Sequence, residues 1–368
     1  MLNNGQYFIQ GSWSSEIVWR ACCCLWQKCA AITINRFAIA KIQKYKKDLI
    51  AIYLKDKNQT IILNKKLIEK IRDNYNKNFN NINNFDFKNL LIYKKYIDPK
   101  LVKQIETNKD LLQQIFAYGL ISAKLLENNI NIFGKKVEIS SDIPEKKGLA
   151  SSAACFIAFT ISLISMADKK LKDSEITEIA RHGEIIAHKN KNAGKIDIAA
   201  SYFGGIISYK NSKIRSYNIN NIKNLDLVII DTGPKKSTAE TVLHVSKLYN
   251  KNKARTGKIL NQIELCCNRG LGYLKKNNII EFGKQIYKNH ELLNKLGVST
   301  NKLNKAILLS KLNKAYGAKL SGGGGGGIAI AFIDKNKSSH LIDIMKKNNF
   351  NAFKSEITEV GARHFIKK

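Results

Sequence analysis

An α+β chain of two domains is what the sequence predicts, and three observations carry that prediction. At 368 residues the chain is longer than one compact core usually organises. Its strand-like runs precede helical stretches in both halves, a pattern unlike the regular alternation of a parallel barrel. A polar stretch, KNSKIRSYNINNIKN between Tyr209 and Leu225, separates the halves, so the expected domains are residues 1–215 and 216–368.

Taken in order, Ala30–Leu63 alternates apolar and polar residues with turn signals and reads as strands of a meander. Asn74–Asn89, NYNKNFNNINNFDFKN, is polar and Asn-rich and reads as a surface insertion. Leu111–Glu127 has helical apolar spacing, with Ile115, Gly119, Ile121 and Leu125 on one side. A strand is expected at Val137–Ile143; Pro144 ends it, and a long helix starts near Ala150. Ser174–His188 reads as a second helix capped by Asp173 or Ser174. Gly204–Gly205 turns the chain into a strand at Ile206–Tyr209, and Leu225–Ile230 is a run of β-formers followed by a sharp turn at Asp231–Thr232–Gly233–Pro234. Three or four helices fill Ala239–Gly317, and the six glycines Gly322–Gly327 lead directly into a strand at Ile328–Ile333.

Composition narrows the function classes. The net charge of +33 invites a nucleic-acid reading, but the lysines are spread along the whole chain among Asn and Ile, without a basic, aromatic-interleaved motif. No nucleic-acid partner is expected. The seven cysteines are odd in number and include adjacent pairs poorly spaced for disulfides, so a reducing cytoplasm is the expected location and a zinc site is not expected. Gly148–Ala167 carries no charge over 20 residues, close to the ~20 needed to cross a bilayer. Its first third is Gly, Ala and Ser, which suits a helix start around an anion; the segment reads as a buried core helix, and no membrane association is expected.

The most informative segment is PEKKGLASSAA, Pro144–Ala154. A strand, a proline and then Gly-Leu-Ala-Ser-Ser at a helix start align several backbone N–H groups toward one point. Small side chains let a polyphosphate come close, and the helix dipole favours its charge. A Ser151 or Ser152 hydroxyl can reach a bound Mg²⁺. A Ser-capped helix start without a ligand is the competing reading.

This segment resembles the signature P-x-x-x-G-L-[GA]-S-S-A-A of the galactokinase, homoserine kinase, mevalonate kinase and phosphomevalonate kinase (GHMP kinase) superfamily. KLSGGGGGGIAIAF at Lys319–Phe332 is similar to its glycine loop, and HGEIIAHKNKNAGKIDIAASYFGG at His182–Gly205 to its helix-then-aspartate segment. The mevalonate kinase branch fits best, through VIIDTGPKKSTAETVLHV at Val228–Val245 and NHELLNKLGVSTNKLNKA at Asn289–Ala306. The resemblance implies a two-domain fold with its active site in the cleft, ATP and Mg²⁺ as cofactors, and a small-molecule alcohol, mevalonate or similar, as substrate. Pro144, Lys147, Gly148, Leu149, Ala150, Ser151, Ser152 and Ala153, with Gly323, Gly324 and Gly325, would hold the nucleotide. Ser152 and Glu184 would hold Mg²⁺, and Asp197 would orient and deprotonate the alcohol. His188, four residues after Glu184, is expected to pack or hydrogen-bond.

Two departures from the family pattern are visible. Gln6 stands where the family has a lysine, Ser12–Trp13 replaces a Glu–His pair, and Trp19–Lys28 matches nothing in the pattern. Beside the aspartate, Ala193-Gly194-Lys195-Ile196-Asp197 carries an added lysine, so Lys195 is the expected substitute cation. Phosphomevalonate or a sugar remains an alternative substrate, a non-catalytic ligand-binding paralogue is an alternative of another class, and a homodimer is left open.

Overall fold

The computed structural model describes residues 7–15, 29–79, 93, 96–97, 99–145, 147–167, 169–190, 193–211, 213–218, 220–222, 224–235 and 238–366. Gln6 and Trp19–Lys28 lie outside them, as does most of Asn74–Asn89. Strands and helices are grouped around two sheets, in keeping with the expected α+β class.

The first sheet contains β1 (Tyr7–Ser15), β2 (Cys29–Lys44), β3 (Leu49–Leu54), β4 (Gln59–Asn64), β5 (Lys135–Ser141), β6 (Ile206–Lys210) and β7 (Lys213–Tyr217). The second half of β2 alternates, with Ala38, Ala40 and Ile42 buried between more open neighbours, the period of two that a one-sided sheet requires, while Cys29–Ile34 are buried on both faces. The expected meander is corrected in one respect. β5 inserts between β2 and β3, antiparallel to the first and parallel to the second. A loop of four residues lets the chain step over the place that β5 later fills.

Helices cover this sheet: α1 (Lys65–Asn78), α2 (Pro99–Thr107), α3 (Lys109–Glu127), α4 (Ser151–Ile164), α5 (Asp173–His188) and α6 (Lys195–Phe203). The Asn-rich stretch begins inside α1, because Tyr75 is buried on the same face as Leu67, Ile68 and Ile71 and carries the helix on to Asn78. α4 is the uncharged segment and runs through the core, against β1, β2, β5 and α5. Its polar residues are internally satisfied: Thr160 Oγ1 donates to Phe156 O at 2.7 Å and Ser162 Oγ to Phe159 O at 2.7 Å. Among the described residues, no helix is long and apolar enough to cross a membrane. α5 starts one residue earlier than expected, with Glu175 Oε2 accepting the Lys172 N–H at 2.7 Å.

The second sheet has the order β11-β8-β10-β9 and is antiparallel throughout. It comprises β8 (Leu225–Lys235), β9 (Gly317–Leu320), β10 (Gly326–Asp334) and β11 (Asn351–Ser355). Its helices are α7 (Thr238–Lys251), α8 (Lys253–Lys275), α9 (Ile279–Lys295), α10 (Asn301–Leu312) and α11 (Lys335–Lys347). The turn expected at Asp231–Pro234 is instead the irregular end of β8. Pairing with β10 continues to Lys235 through a register shift, which accommodates a proline inside the strand. The last strand, β12 (Arg363–Ile366), returns to the first sheet beside β1. A division at residue 215/216 therefore falls within β7 and leaves β12 with the opposite sheet.

Candidate active site

The expected phosphate loop runs from the end of β5 through Pro144 and enters α4 at Ser151. Leu149 is buried and anchors the loop in the core, while Gly148 (φ 86°) and Ala150 (φ 52°) both take left-handed backbone conformations. Ala150 is the N-cap, and Ala154 N bonds to Ala150 O at 3.2 Å as the first helical bond. The N–H groups of Ser151, Ser152 and Ala153 thus precede the first helical donor and have no acceptor within the helix, as an anion site needs.

The helix start opens into a cavity of about 530 Å³. One wall is Gly148, Leu149, Ala150, Ser151 and Ser152, with Cys155 and Phe156 one turn further along α4. Glu184 and His188 enter from α5 and Asp197 from α6. The lining also includes Leu54, Asp56 and Lys57 at the end of β3, and Asp110, Gln113, Gln114 and Tyr118 from α3.

Both carboxylates are placed by packing. Glu184 is 1% and Asp197 2% exposed. Glu184 Oε2 lies 3.2 Å from His188 Nε2 one turn on, so His188 makes the hydrogen-bonding contact expected of it. Gly194 caps α6 with φ 74°, and a Cβ there would fall 2.4 Å from Glu184 Cβ. Only glycine supplies both that conformation and that clearance. Gln113 Nε2 donates to Ala187 O at 2.7 Å, tying α3 to the end of α5 beside Glu184.

Other groups in the cavity are held neutral. Burial pushes the Cys155 thiol up to about 12 and the Tyr118 hydroxyl well above its ordinary value. A thiolate nucleophile is therefore disfavoured. Carboxylates, hydroxyls and backbone donors remain, a set suited to positioning a polyphosphate and an alcohol.

Several sequence expectations fall elsewhere. Pro144, Lys147 and Ala153 flank the cavity without lining it. Gly323, Gly324 and Gly325 are not on its wall either; a Cβ at Gly324 would meet Val298 O at 2.2 Å, and Gly325 N donates to that oxygen at 2.7 Å. The glycine loop does reach the phosphate loop, through Ser321 Oγ donating to Gly148 O at 3.5 Å. Lys195 is not among the residues that line the cavity. Residues two apart leave a helix on different faces, so it does not join Asp197 at the cavity. Its charge acts on Glu178, whose carboxyl burial raises but Arg181, His182 and Lys195 together hold below the usual range. The wall formed by Asp56, Lys57, Gln113 and Gln114 was missed. Its one local signal is the pair of glutamines interrupting the apolar face of α3.

Comparison with known proteins agrees with this geometry. Residues 116–205 match the GHMP kinases N-terminal domain, and residues 271–352 match the GHMP kinases C-terminal domain. The chain is 32% identical over 248 residues to a mevalonate kinase of Methanocaldococcus jannaschii, covering 65% of this chain and 75% of that protein. It is 25% identical over 246 residues to a mevalonate kinase of Aeropyrum pernix, covering 67% and 75%. The solved structure of the Methanococcus jannaschii mevalonate kinase superposes with a TM-score of 0.73 at 25% identity, covering 95% of this chain and 98% of that one. The chain belongs to the GHMP kinases.

Proposed function

We propose that the chain transfers the terminal phosphoryl group of ATP to the 5-hydroxyl of mevalonate, in the cytoplasm, as a step toward isoprenoid precursors. The observation that carries the reading is the convergence of the α4 start with Glu184 and Asp197 on one cavity, in a chain similar to mevalonate kinases over most of its length.

The backbone N–H groups of Ser151 and Ser152 bind the polyphosphate, and the small side chains of the loop let it approach. Among the described residues no cluster of three or more His, Cys, Asp or Glu could hold a metal by itself. The Ser152 hydroxyl and Glu184 carboxylate at one cavity are the hard oxygen donors that Mg²⁺ takes when substrate phosphates and water complete its shell. When bound there, Mg²⁺ supplies charge neutralisation on the phosphates. His188 orients the Glu184 carboxylate. Asp197, buried at the start of α6, accepts the proton of the attacking hydroxyl and aligns its oxygen. Phosphoryl transfer needs little beyond positioning and charge stabilisation, which these residues provide.

The experiment is coupled kinase turnover of the purified chain with mevalonate, phosphomevalonate and several sugars. Saturable turnover with mevalonate, well above the other alcohols, is expected. A clear preference for phosphomevalonate or a sugar would overturn the substrate while keeping the kinase.

A further inference from the structure

Two consecutive residues of the phosphate loop are tied to the second sheet. Gly148 O accepts the Ser321 hydroxyl, as described above, and Lys147 Nζ lies 2.7 Å from Asp231 Oδ2. Asp231 sits on β8 where the strand becomes irregular, and its other oxygen, Oδ1, accepts the Gly233 N–H at 2.9 Å. The carboxylate is therefore fixed in direction by its own strand. The lysine side chain is a third exposed and the aspartate a fifth. A pair this open to solvent contributes little to folding and is readily exchanged for a stronger partner.

The position of the pair gives it a consequence. Glu145 and Gly148, on either side of Lys147, both line the cavity. Lys147 is thus a cation on the loop that would receive a polyphosphate, engaged by a carboxylate of the other sheet. A nucleoside di- or triphosphate brings several negative charges to this loop, against the single charge of Asp231. The flexible lysine stem can follow the stronger field, whereas Asp231 is held by its strand.

We propose that Asp231 competes with the nucleotide for Lys147: it holds the loop's cation on the second sheet and yields it to the polyphosphate on binding. Nucleotide binding then replaces one contact between the two sheets with a contact to ligand. Asp231 acts through Lys147 and is a positioning residue. The inference rests on reading the cavity as a nucleotide site.

The test is the dissociation constant of ADP with Mg²⁺, measured calorimetrically on the full chain and on Asp231→Asn, Lys147→Met and the double variant. Asp231→Asn should bind ADP about three- to tenfold more tightly, because the lysine is released and a repelling charge is lost. Lys147→Met should bind about tenfold more weakly. In the Lys147→Met background the gain from Asp231→Asn should shrink or vanish, since a competitor without its prize has no effect beyond repulsion. Unfolding midpoints close to wild type are expected for all three. ADP affinity unchanged or weakened in Asp231→Asn, or a gain undiminished in the double variant, overturns the proposal while the nucleotide site stands. A folded wild-type chain that binds no ADP overturns the nucleotide site itself, and the proposal with it.

Discussion

Gly194 and Ala150 show how single backbone positions govern this site. At Gly194 a Cβ would push directly into the stem of Glu184. Gly194→Ala should displace that carboxylate, lowering turnover about tenfold or more and raising the Mg²⁺ concentration for half-maximal rate; a magnesium titration of the rate checks both. An unchanged magnesium requirement would separate Glu184 from the metal. Ala150 is a non-glycine residue at φ 52°, a conformation that costs an L-residue about 1 kcal/mol. Ala150→Gly should relieve it, offset in part by unfolded-chain entropy, and raise stability by about 0.5 kcal/mol in urea unfolding. Ala150→Val should do the reverse and weaken ATP binding by crowding the polyphosphate. The loop itself was legible in the sequence, because its chemistry is local: small residues, a proline and a helix start within eleven positions. Lys195, two residues before Asp197, leaves the helix on another face and does not line the cavity.

At the scale of elements, legibility follows sequence distance. The strand and helix runs were readable from periodicity, yet the order of the first sheet was not. β5 joins β2 and β3 only after α1, α2 and α3 of the described residues have passed, and nothing in the local pattern of β3 announces a parallel partner. The part of the cavity lining from the end of β3 and the start of α3 was missed for that reason, with only the glutamine pair of α3 as a local signal. The helix α9 carries a prediction of its own. His290 there is nearly buried, its Nε2 is 3.1 Å from Asn304 Oδ1, and burial lowers its pKa to about 4, with the charge of Lys319 adding to the effect. The ring is neutral when folded, while the unfolded chain takes up a proton near 6.5. The stability it supports is therefore complete above pH 6.5 and is lost as pH falls toward 4, by roughly 2–3 kcal/mol. Urea unfolding at pH 7 and pH 5 should show about 2 kcal/mol of this loss, and His290→Gln should flatten it. An equal pH dependence in that variant would assign the effect to other groups, such as His182, which burial also lowers.

The whole molecule joins two sheets by contacts far apart in sequence. β12 returns to β1, Asn35 Oδ1 accepts Ser355 Oγ at 2.8 Å and Glu356 N at 3.0 Å, and Ser321 meets Gly148. These contacts bring the glycine loop against the phosphate loop and leave the cavity beside it. In the proposed reaction this cavity transfers the phosphoryl group with Asp197 as the proton acceptor. Its most direct measurement is mevalonate-dependent ADP release under saturating MgATP, by the wild-type chain and by Asp197→Asn, a change that keeps volume but removes the base. Robust wild-type turnover is expected, with a fall of about 10²-fold or more in the variant and ADP affinity little changed. Turnover of Asp197→Asn at the wild-type rate would contradict it.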